Sequence, residues 1–134
     1  MAYWVGAAVA LGVALFATLV GFDRDRAFYP TVLIVTASYY ALFAVLAGST
    51  SALVPETLVL ALFAALAAFG FRSSLWLVVV GLAGHGLFDV FRGGLITNPG
   101  VPAWWPMFCM TFDLVVAAYL AWLLVRPNGR ATGA

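Results

Sequence analysis

Ionisable and thiol side chains recur at helical spacing in two otherwise apolar stretches of this sequence. His85 and Asp89 are four residues apart in one stretch, and Cys109 and Asp113 are four residues apart in the other. Residues four apart lie on the same face of an α-helix. If the two faces meet, a base, a thiol and two carboxylates converge at one place. His85 and an aspartate could then act as an acid–base pair or pass on a proton.

Arg92 continues the face that carries His85 and Asp89. We therefore expect Asp89 and Arg92 to pair at the mouth of a pocket, above an ion pair or hydrogen bond between His85 and Asp113. The alternative interpretation is that these pairs only hold the helices together, because polar contacts between membrane helices are common and average only about 0.6 kcal/mol. The glycines that flank His85 favour close approach of a ligand or, equally, of a neighbouring helix.

Further candidates have simpler alternative interpretations. Glu56 opens an apolar stretch, where a carboxylate complements the helix dipole. Tyr40 or its neighbour Tyr39 could close the floor of the pocket, since a buried phenol normally has a partner. Trp105 belongs either to an aromatic belt at the membrane surface or to a lid. Cys109, between methionines, could bind a soft metal such as Cu(I), or could simply fill apolar space.

The sequence leaves the catalytic residues, the metal and the cofactor open. A catalytic zinc site commonly uses two or three histidines, and this chain has one. A single cysteine cannot form an intramolecular disulfide. No nucleophile elbow or phosphate-binding glycine loop is found. Whether the protein is an enzyme is not determined.

The composition is that of an integral membrane protein. Hydrophobic residues make up 66% of the 134 residues and charged residues 8%, whereas soluble domains have about 45–50% apolar and 25% charged residues. Five apolar stretches of about 20 residues use nearly the whole length. The sequence therefore predicts one all-α bundle of five transmembrane helices. The arginines form no basic run, which argues against a nucleic-acid partner.

The apolar stretches predict helices over residues 2–20, 29–47, 55–70, 75–91 and 104–126. Gly70 follows an apolar run, as a C-terminal cap does. Residues 1–126 form the transmembrane domain, and residues 127–134 are expected to be a short flexible cytoplasmic tail. The alternating charges of residues 23–26 indicate a solvated turn.

The arginines predict the orientation. Five spans place the two termini on opposite sides, and five of the six arginines then share the side of the C-terminal tail, with only Arg92 opposite. The positive-inside rule places the N-terminus outside and the C-terminus in the cytoplasm. His85 and Asp113 would lie roughly 12–14 Å below the outer surface, in a pocket open to the outside.

Two segments carry a family resemblance. Residues 84–113 contain the pattern GHGxxD, NPGVPAWWPxxC and a further D, and residues 26–44 read RAFYPTVLIVTASYYALFA. Together these segments, about a third of the chain, resemble small uncharacterised bacterial multi-helix integral membrane proteins. The resemblance implies a bacterial cytoplasmic (inner) membrane and brings no activity. The HxxxD of His85 and Asp89 also occurs in zinc-dependent ceramidase-like hydrolases, whose further histidines this chain lacks.

We therefore expect a small polytopic membrane protein with an outward-facing polar pocket that binds or passes a small solute or a proton. One alternative is an intramembrane acid–base enzyme that acts on a lipid-like substrate. Another is a structural subunit of a membrane complex. The expected partners are the lipid bilayer, a small solute or lipid ligand, and further copies of the chain or other subunits.

Overall fold

Five long helices make up the architecture of the protein. The computed structural model describes residues 1–127, and these contain helices and turns but no strand. The helices are α1 (Ala2–Val20), α2 (Phe28–Leu46), α3 (Thr50–Arg72), α4 (Trp76–Phe91) and α5 (Trp105–Val125). Short 3₁₀ turns follow α1 at Phe22–Arg24 and α4 at Arg92–Gly94.

All five helices are long and apolar enough to cross a membrane, α4 when counted together with the turn after it. The prediction of an all-α chain with five helices long and apolar enough to span a membrane is therefore confirmed. The sidedness of the termini stays a prediction. The expected flexible tail falls almost entirely on residues 128–134, which lie outside the described residues.

Two boundaries of α3 differ from the prediction. The helix begins at Thr50 instead of residue 55, because the Ser49 hydroxyl accepts a hydrogen bond from the backbone N–H of Ala52 and caps it. It also continues through Gly70 to Arg72. Gly70 is not a cap: a Cβ there would lie 2.6 Å from the side chain of Val78. The missing side chain therefore allows the start of α4 to approach α3.

The helices are arranged around the bundle in the order α1, α5, α4, α3, α2. Each neighbouring pair in this order packs together, whereas the Cα atoms of α1 and α2, which are both fully described, stay more than 8 Å apart. Small residues set the close approaches. A Cβ at Gly6 of α1 would overlap the backbone of Phe108 on α5, and one at Gly86 of α4 would lie 3.1 Å from the Met110 carbonyl oxygen on α5.

Polarity is distributed as expected for a protein whose solvent is lipid. Large apolar side chains of every helix are exposed on the outside. The interior contains apolar side chains such as Leu33, Leu82 and Leu120, but it also buries ionisable groups. The buried polar or charged residues of the described chain are Asp23, Thr36, Glu56, His85, Asp89, Arg92 and Asp113. The ionisable groups among them define the candidate sites.

Candidate functional site

Four side chains from α4 and α5 meet in the interior of the bundle. His85 and Asp89 project from α4, and Cys109 and Asp113 project from α5. Each side chain contributes one atom that could bind a metal: a histidine nitrogen, a cysteine sulfur or a carboxylate oxygen. These four atoms all lie within 4.8 Å of one another. The exposed fraction is 0% for His85 and Asp113 and 2% for Asp89 and Cys109. We call this set the four-residue cluster.

His85 lies at the centre of the cluster. Its Nδ1 is 2.6 Å from Oδ2 of Asp113 and 3.8 Å from Oδ2 of Asp89. The thiol of Cys109 donates to the same Asp113 oxygen over 3.7 Å. Aromatic rings surround the imidazole, and the edge-on ring of Phe63 is the nearest, with ring centroids 4.8 Å apart. The four donor atoms therefore share a small volume that apolar groups shield.

Tyr40 orients one of the carboxylates. Its hydroxyl donates to Oδ1 of Asp89 over 2.5 Å, and Tyr40 itself is buried on α2. This hydrogen bond holds Asp89 so that its other oxygen, Oδ2, points toward His85. Tyr39, the alternative in the sequence, instead packs edge-on against Trp105. The rotation of α2 about its axis therefore places Tyr40, and not Tyr39, at the four-residue cluster.

Arg92 does not pair with Asp89, contrary to the sequence expectation. It forms a buried ion pair with Glu56 of α3, and its guanidinium lies 3.9 Å above the ring of Tyr40. The reason is that Arg92 lies in the 3₁₀ turn after α4, where the chain leaves the α-helical face of His85 and Asp89. The Glu56 carboxylate therefore pairs with the buried guanidinium of Arg92. The helix dipole alone does not explain why a carboxylate lies at this position.

Asn98, which was not among the residues predicted from the sequence, also contacts Glu56. Its side-chain amide donates to Glu56 over 3.2 Å and to the backbone carbonyl of Tyr40 over 3.0 Å. Two residues later, a Cβ at Gly100 would overlap the carbonyl of Phe43, so the loop lies directly on α2. The sequence contained one signal for this contact: Asn98, in the Asn-Pro-Gly turn, carries the only side-chain amide in residues 1–127.

Several buried polar atoms have no hydrogen-bond partner within the described chain. In the four-residue cluster these are Nε2 of His85, Oδ2 of Asp89 and Oδ1 of Asp113. Leaving such an atom unpaired costs about 1–3 kcal/mol, and more if the group is charged. The cluster therefore has more acceptors than its own protons satisfy, which is a property of sites that bind a cation.

A further buried acid, Asp23, lies at the opposite end of the bundle from the four-residue cluster. Asp23 is 1% exposed, and its Oδ2 accepts hydrogen bonds from Thr18 over 2.5 Å and from Tyr29 over 3.5 Å. The hydroxyls of Thr18 and Tyr119 are 2.6 Å apart. The interpretation of residues 23–26 as a fully solvated turn is therefore wrong for Asp23. Thr18 and Tyr29 are five and six residues from Asp23 but lie on two different helices, and Tyr119 comes from α5, so helical spacing did not point to this network.

Trp105 lies away from the polar cluster. It packs against Tyr39 and Phe43 of α2, with ring centroids 4.9 Å and 5.1 Å away. It lines an apolar cavity of about 420 Å³ between α1, α2 and α5. Cys109 also lines this cavity while belonging to the four-residue cluster. The polar cluster therefore borders an apolar cavity.

Comparisons with family models, with curated proteins and with solved structures find no match to this chain. The resemblance to small bacterial membrane proteins stays a prediction, and a function has to be argued from the geometry alone.

Proposed function

We propose that the protein binds a divalent transition-metal ion in the membrane, with His85, Asp89, Cys109 and Asp113 as its ligands. This is the small-solute function expected from the sequence, with the solute now specified by chemical class. The observation that carries the proposal is the convergence of two i, i+4 pairs, one from each of two packed helices, in a buried place. Two packed helices therefore supply all four ligand atoms.

The distances support a tetrahedral site. Ligand atoms at zinc lie about 2.0–2.3 Å from the metal, which puts them about 3.3–3.8 Å from each other. The separation of His85 Nδ1 from Asp89 Oδ2 is 3.8 Å, and that of Cys109 Sγ from Asp113 Oδ2 is 3.7 Å. Of these three separations, only the 2.6 Å hydrogen bond between His85 and Asp113 has to widen, and all the ligand atoms already lie within 4.8 Å of one another. A small side-chain rotation at either residue would provide this.

The donor set favours a borderline or soft metal. Calcium and magnesium prefer sites made of oxygen ligands, whereas imidazole and thiolate suit zinc, copper, nickel and similar ions. The Cys109 thiolate and one carboxylate balance the charge of a divalent ion when the other carboxyl group keeps its proton. A compensated charge matters here because a net charge in the hydrocarbon region is costly. In the absence of metal, protons on the same groups supply this compensation, so metal binding would release protons.

Tyr40 supports the proposal as a positioning residue. Groups that hold a metal ligand in place usually bond the ligand atom that does not face the metal. The Tyr40 hydroxyl occupies Oδ1 of Asp89 and leaves Oδ2, which has no hydrogen-bond partner in the described chain, facing the other donor atoms.

The first test is metal binding by the detergent-purified protein. We expect about one Zn²⁺ per chain after equilibrium dialysis and elemental analysis. With Co²⁺, we expect the visible absorption of a tetrahedral site and a thiolate-to-cobalt charge-transfer band. Asp113→Asn should lower the affinity at least tenfold, and Cys109→Ser should abolish the charge-transfer band.

Asp25→Asn is the matched control, because Asp25 is an exposed carboxylate that accepts a hydrogen bond from the backbone N–H of Ala27. It should bind metal as the unmodified protein does. Equal metal affinity in Asp113→Asn and Asp25→Asn would contradict the proposal. So would a failure of the folded protein to bind either metal, which would favour a structural role for the cluster.

A second candidate function is supported by the apolar cavity. Because Cys109 both lines that cavity and donates to Asp113, a lipid-like molecule could reach the edge of the cluster from the membrane. An acid–base enzyme would then use His85 on a lipid substrate. Turnover of a labelled lipid extract by the native protein, lost in His85→Gln, would support this candidate over metal binding alone.

A further inference from the structure

Two helices that are consecutive in sequence leave a gap between them. α1 packs against α5 and α2 packs against α3, so α1 and α2 are separated although only residues 21–27 connect them. The cavity of about 420 Å³ lies in this gap, and α5 forms its floor. We call it the α1–α2 cleft. Its lining comes from all three helices and includes Val9, Phe28, Val35, Tyr39, Trp105 and Cys109.

The cleft opens at the depth of the hydrocarbon core. Val9 and Val35 lie on its two sides, each near the middle of its helix, and are 41% and 45% exposed. Its lining is almost entirely apolar. A molecule that enters between these helices therefore comes from the lipid phase and not from water.

The dimensions of the cleft select a narrow occupant. Along α2 the cleft extends from Phe28 to Tyr39, which is about 16 Å at the helical rise. A helix of a second chain, about 10 Å across, would occupy roughly 1,200 Å³ over this length. The volume of the cleft is about 420 Å³. This volume fits an extended hydrocarbon chain, whereas a helix from another copy of the protein would lie mostly outside the cleft.

One polar group in the lining has no partner. The indole N–H of Trp105 is buried and makes no hydrogen bond within the described chain, although backbone and indole donors in a membrane normally find an acceptor. Trp105 is the first residue of α5, so it lies near a membrane surface, where tryptophans interact with the headgroup region. The ester carbonyls of membrane lipids lie at this level.

We propose that the α1–α2 cleft binds one acyl chain of a glycerolipid, whose ester carbonyl accepts a hydrogen bond from the indole N–H of Trp105. The chain then extends along α2 toward Phe28. This inference does not depend on metal binding, because it stands on the cleft and Trp105. The lipid fills the space between α1 and α2, whose Cα atoms lie more than 8 Å apart.

The experiment uses the full-length protein in phosphatidylcholine vesicles that contain a trace of phosphatidylcholine with a photoactivatable diazirine in one acyl chain. After illumination, mass spectrometry of peptides locates the crosslinks. Random contact with lipid would label the most exposed residues, such as Leu58 and Leu62 of α3, which are 68% and 60% exposed. We expect at least threefold more label on the cleft residues Val9 and Val35.

Val35→Trp should fill the cleft and lower labelling of Val9 at least fivefold. Val45→Trp is the matched control, because Val45 lies on the same helix, is 58% exposed and is outside the cleft. It should leave the labelling of Val9 unchanged. Helicity by circular dichroism and a single peak in gel filtration establish that both variants are folded. Val9→Trp fills the cleft from the other side and should lower labelling of Val35 in the same way.

Trp105→Phe tests the hydrogen bond while keeping an aromatic ring. It should lower the labelling of the cleft about threefold to tenfold, the effect expected for loss of one hydrogen bond. An ether-linked analogue of the probe has no ester carbonyl. It should label the cleft of the unmodified protein as weakly as the ester-linked probe labels the cleft of Trp105→Phe. Labelling that follows exposure around the whole bundle, or that Val35→Trp leaves unchanged, would overturn the proposal. Unchanged cleft labelling in Trp105→Phe would overturn the assignment of the carbonyl.

Discussion

At the scale of single residues, the interior of this protein differs from that of a soluble bundle in what it buries. Asp89, Asp113 and Glu56 are all at most 2% exposed, yet each has a basic partner or a hydrogen-bond donor within reach. Ionisable groups in a membrane span are costly unless paired, which explains why these residues occur together and not singly. The pairing follows the partners that the helix rotations offer, so Glu56, rather than Asp89, binds Arg92.

Tyr40→Phe should weaken metal binding about tenfold to 100-fold without changing the number of ions bound. The reason is that the hydroxyl orients Asp89 and does not itself bind the metal. A competition titration with a chromophoric chelator measures the affinity. Tyr39→Phe is the control, because Tyr39 faces the α1–α2 cleft, and it should have no effect. A similar loss in both variants would show that the effect is not specific to Asp89.

At the scale of the helices, one ion pair fastens three segments together at one end of the bundle. Glu56 belongs to α3, Arg92 follows α4, and Asn98 lies in the loop that leads to α5. The guanidinium also covers the ring of Tyr40 on α2. Because each group comes from a different segment, the contact determines how these segments meet above the four-residue cluster.

Glu56→Gln should destabilise the protein by about 3–5 kcal/mol, because it leaves the Arg92 charge buried without its counter-charge. The free energy of unfolding is measured from the loss of helicity as a denaturing detergent is added. Replacing both partners, as in Glu56→Gln with Arg92→Gln, should recover more than half of the loss, since no charge then remains buried. Additive losses in the double variant would show that the two residues act independently.

At the scale of the whole molecule, the order of the helices explains both sites. α5 contacts α1 on one side and α4 on the other. Its α4 side contributes Asp113 to the polar cluster, and its α1 side forms the floor of the cleft with Phe108 and Phe112. Cys109 belongs to both. A central helix with two different faces therefore separates the polar four-residue cluster from the apolar cleft.

The arginine distribution predicts that the end of the bundle where α1, α3 and α5 begin faces the outside. In a Cys109→Ser background, Ser51→Cys should be labelled in intact cells by a maleimide that cannot cross the membrane. Ser73→Cys, at the other end of α3, should be labelled only after permeabilisation. Both serines are exposed, so accessibility to the solvent is matched. The reverse pattern would contradict the orientation.

The sequence by itself determined the features that depend on neighbours along the chain. The number of spans follows from hydropathy, and His85 and Asp89 share a face, as do Cys109 and Asp113, because helical spacing is local. It could not determine how far each helix is rotated or which helices touch. Those depend on side-chain packing between distant segments, for example the close approach that Gly6 allows between α1 and α5.

The tertiary structure decided the partners for the same physical reason. Only the packed bundle brings Arg92 to Glu56, places Thr18 beside Tyr119, and adds Asn98 from a loop. The α1–α2 cleft also exists only in the folded protein, since it is the place where two consecutive helices fail to meet. The partner of a buried charge and the walls of a cavity come from helices that pack against one another. The residues next to them in the sequence do not specify which helices these are.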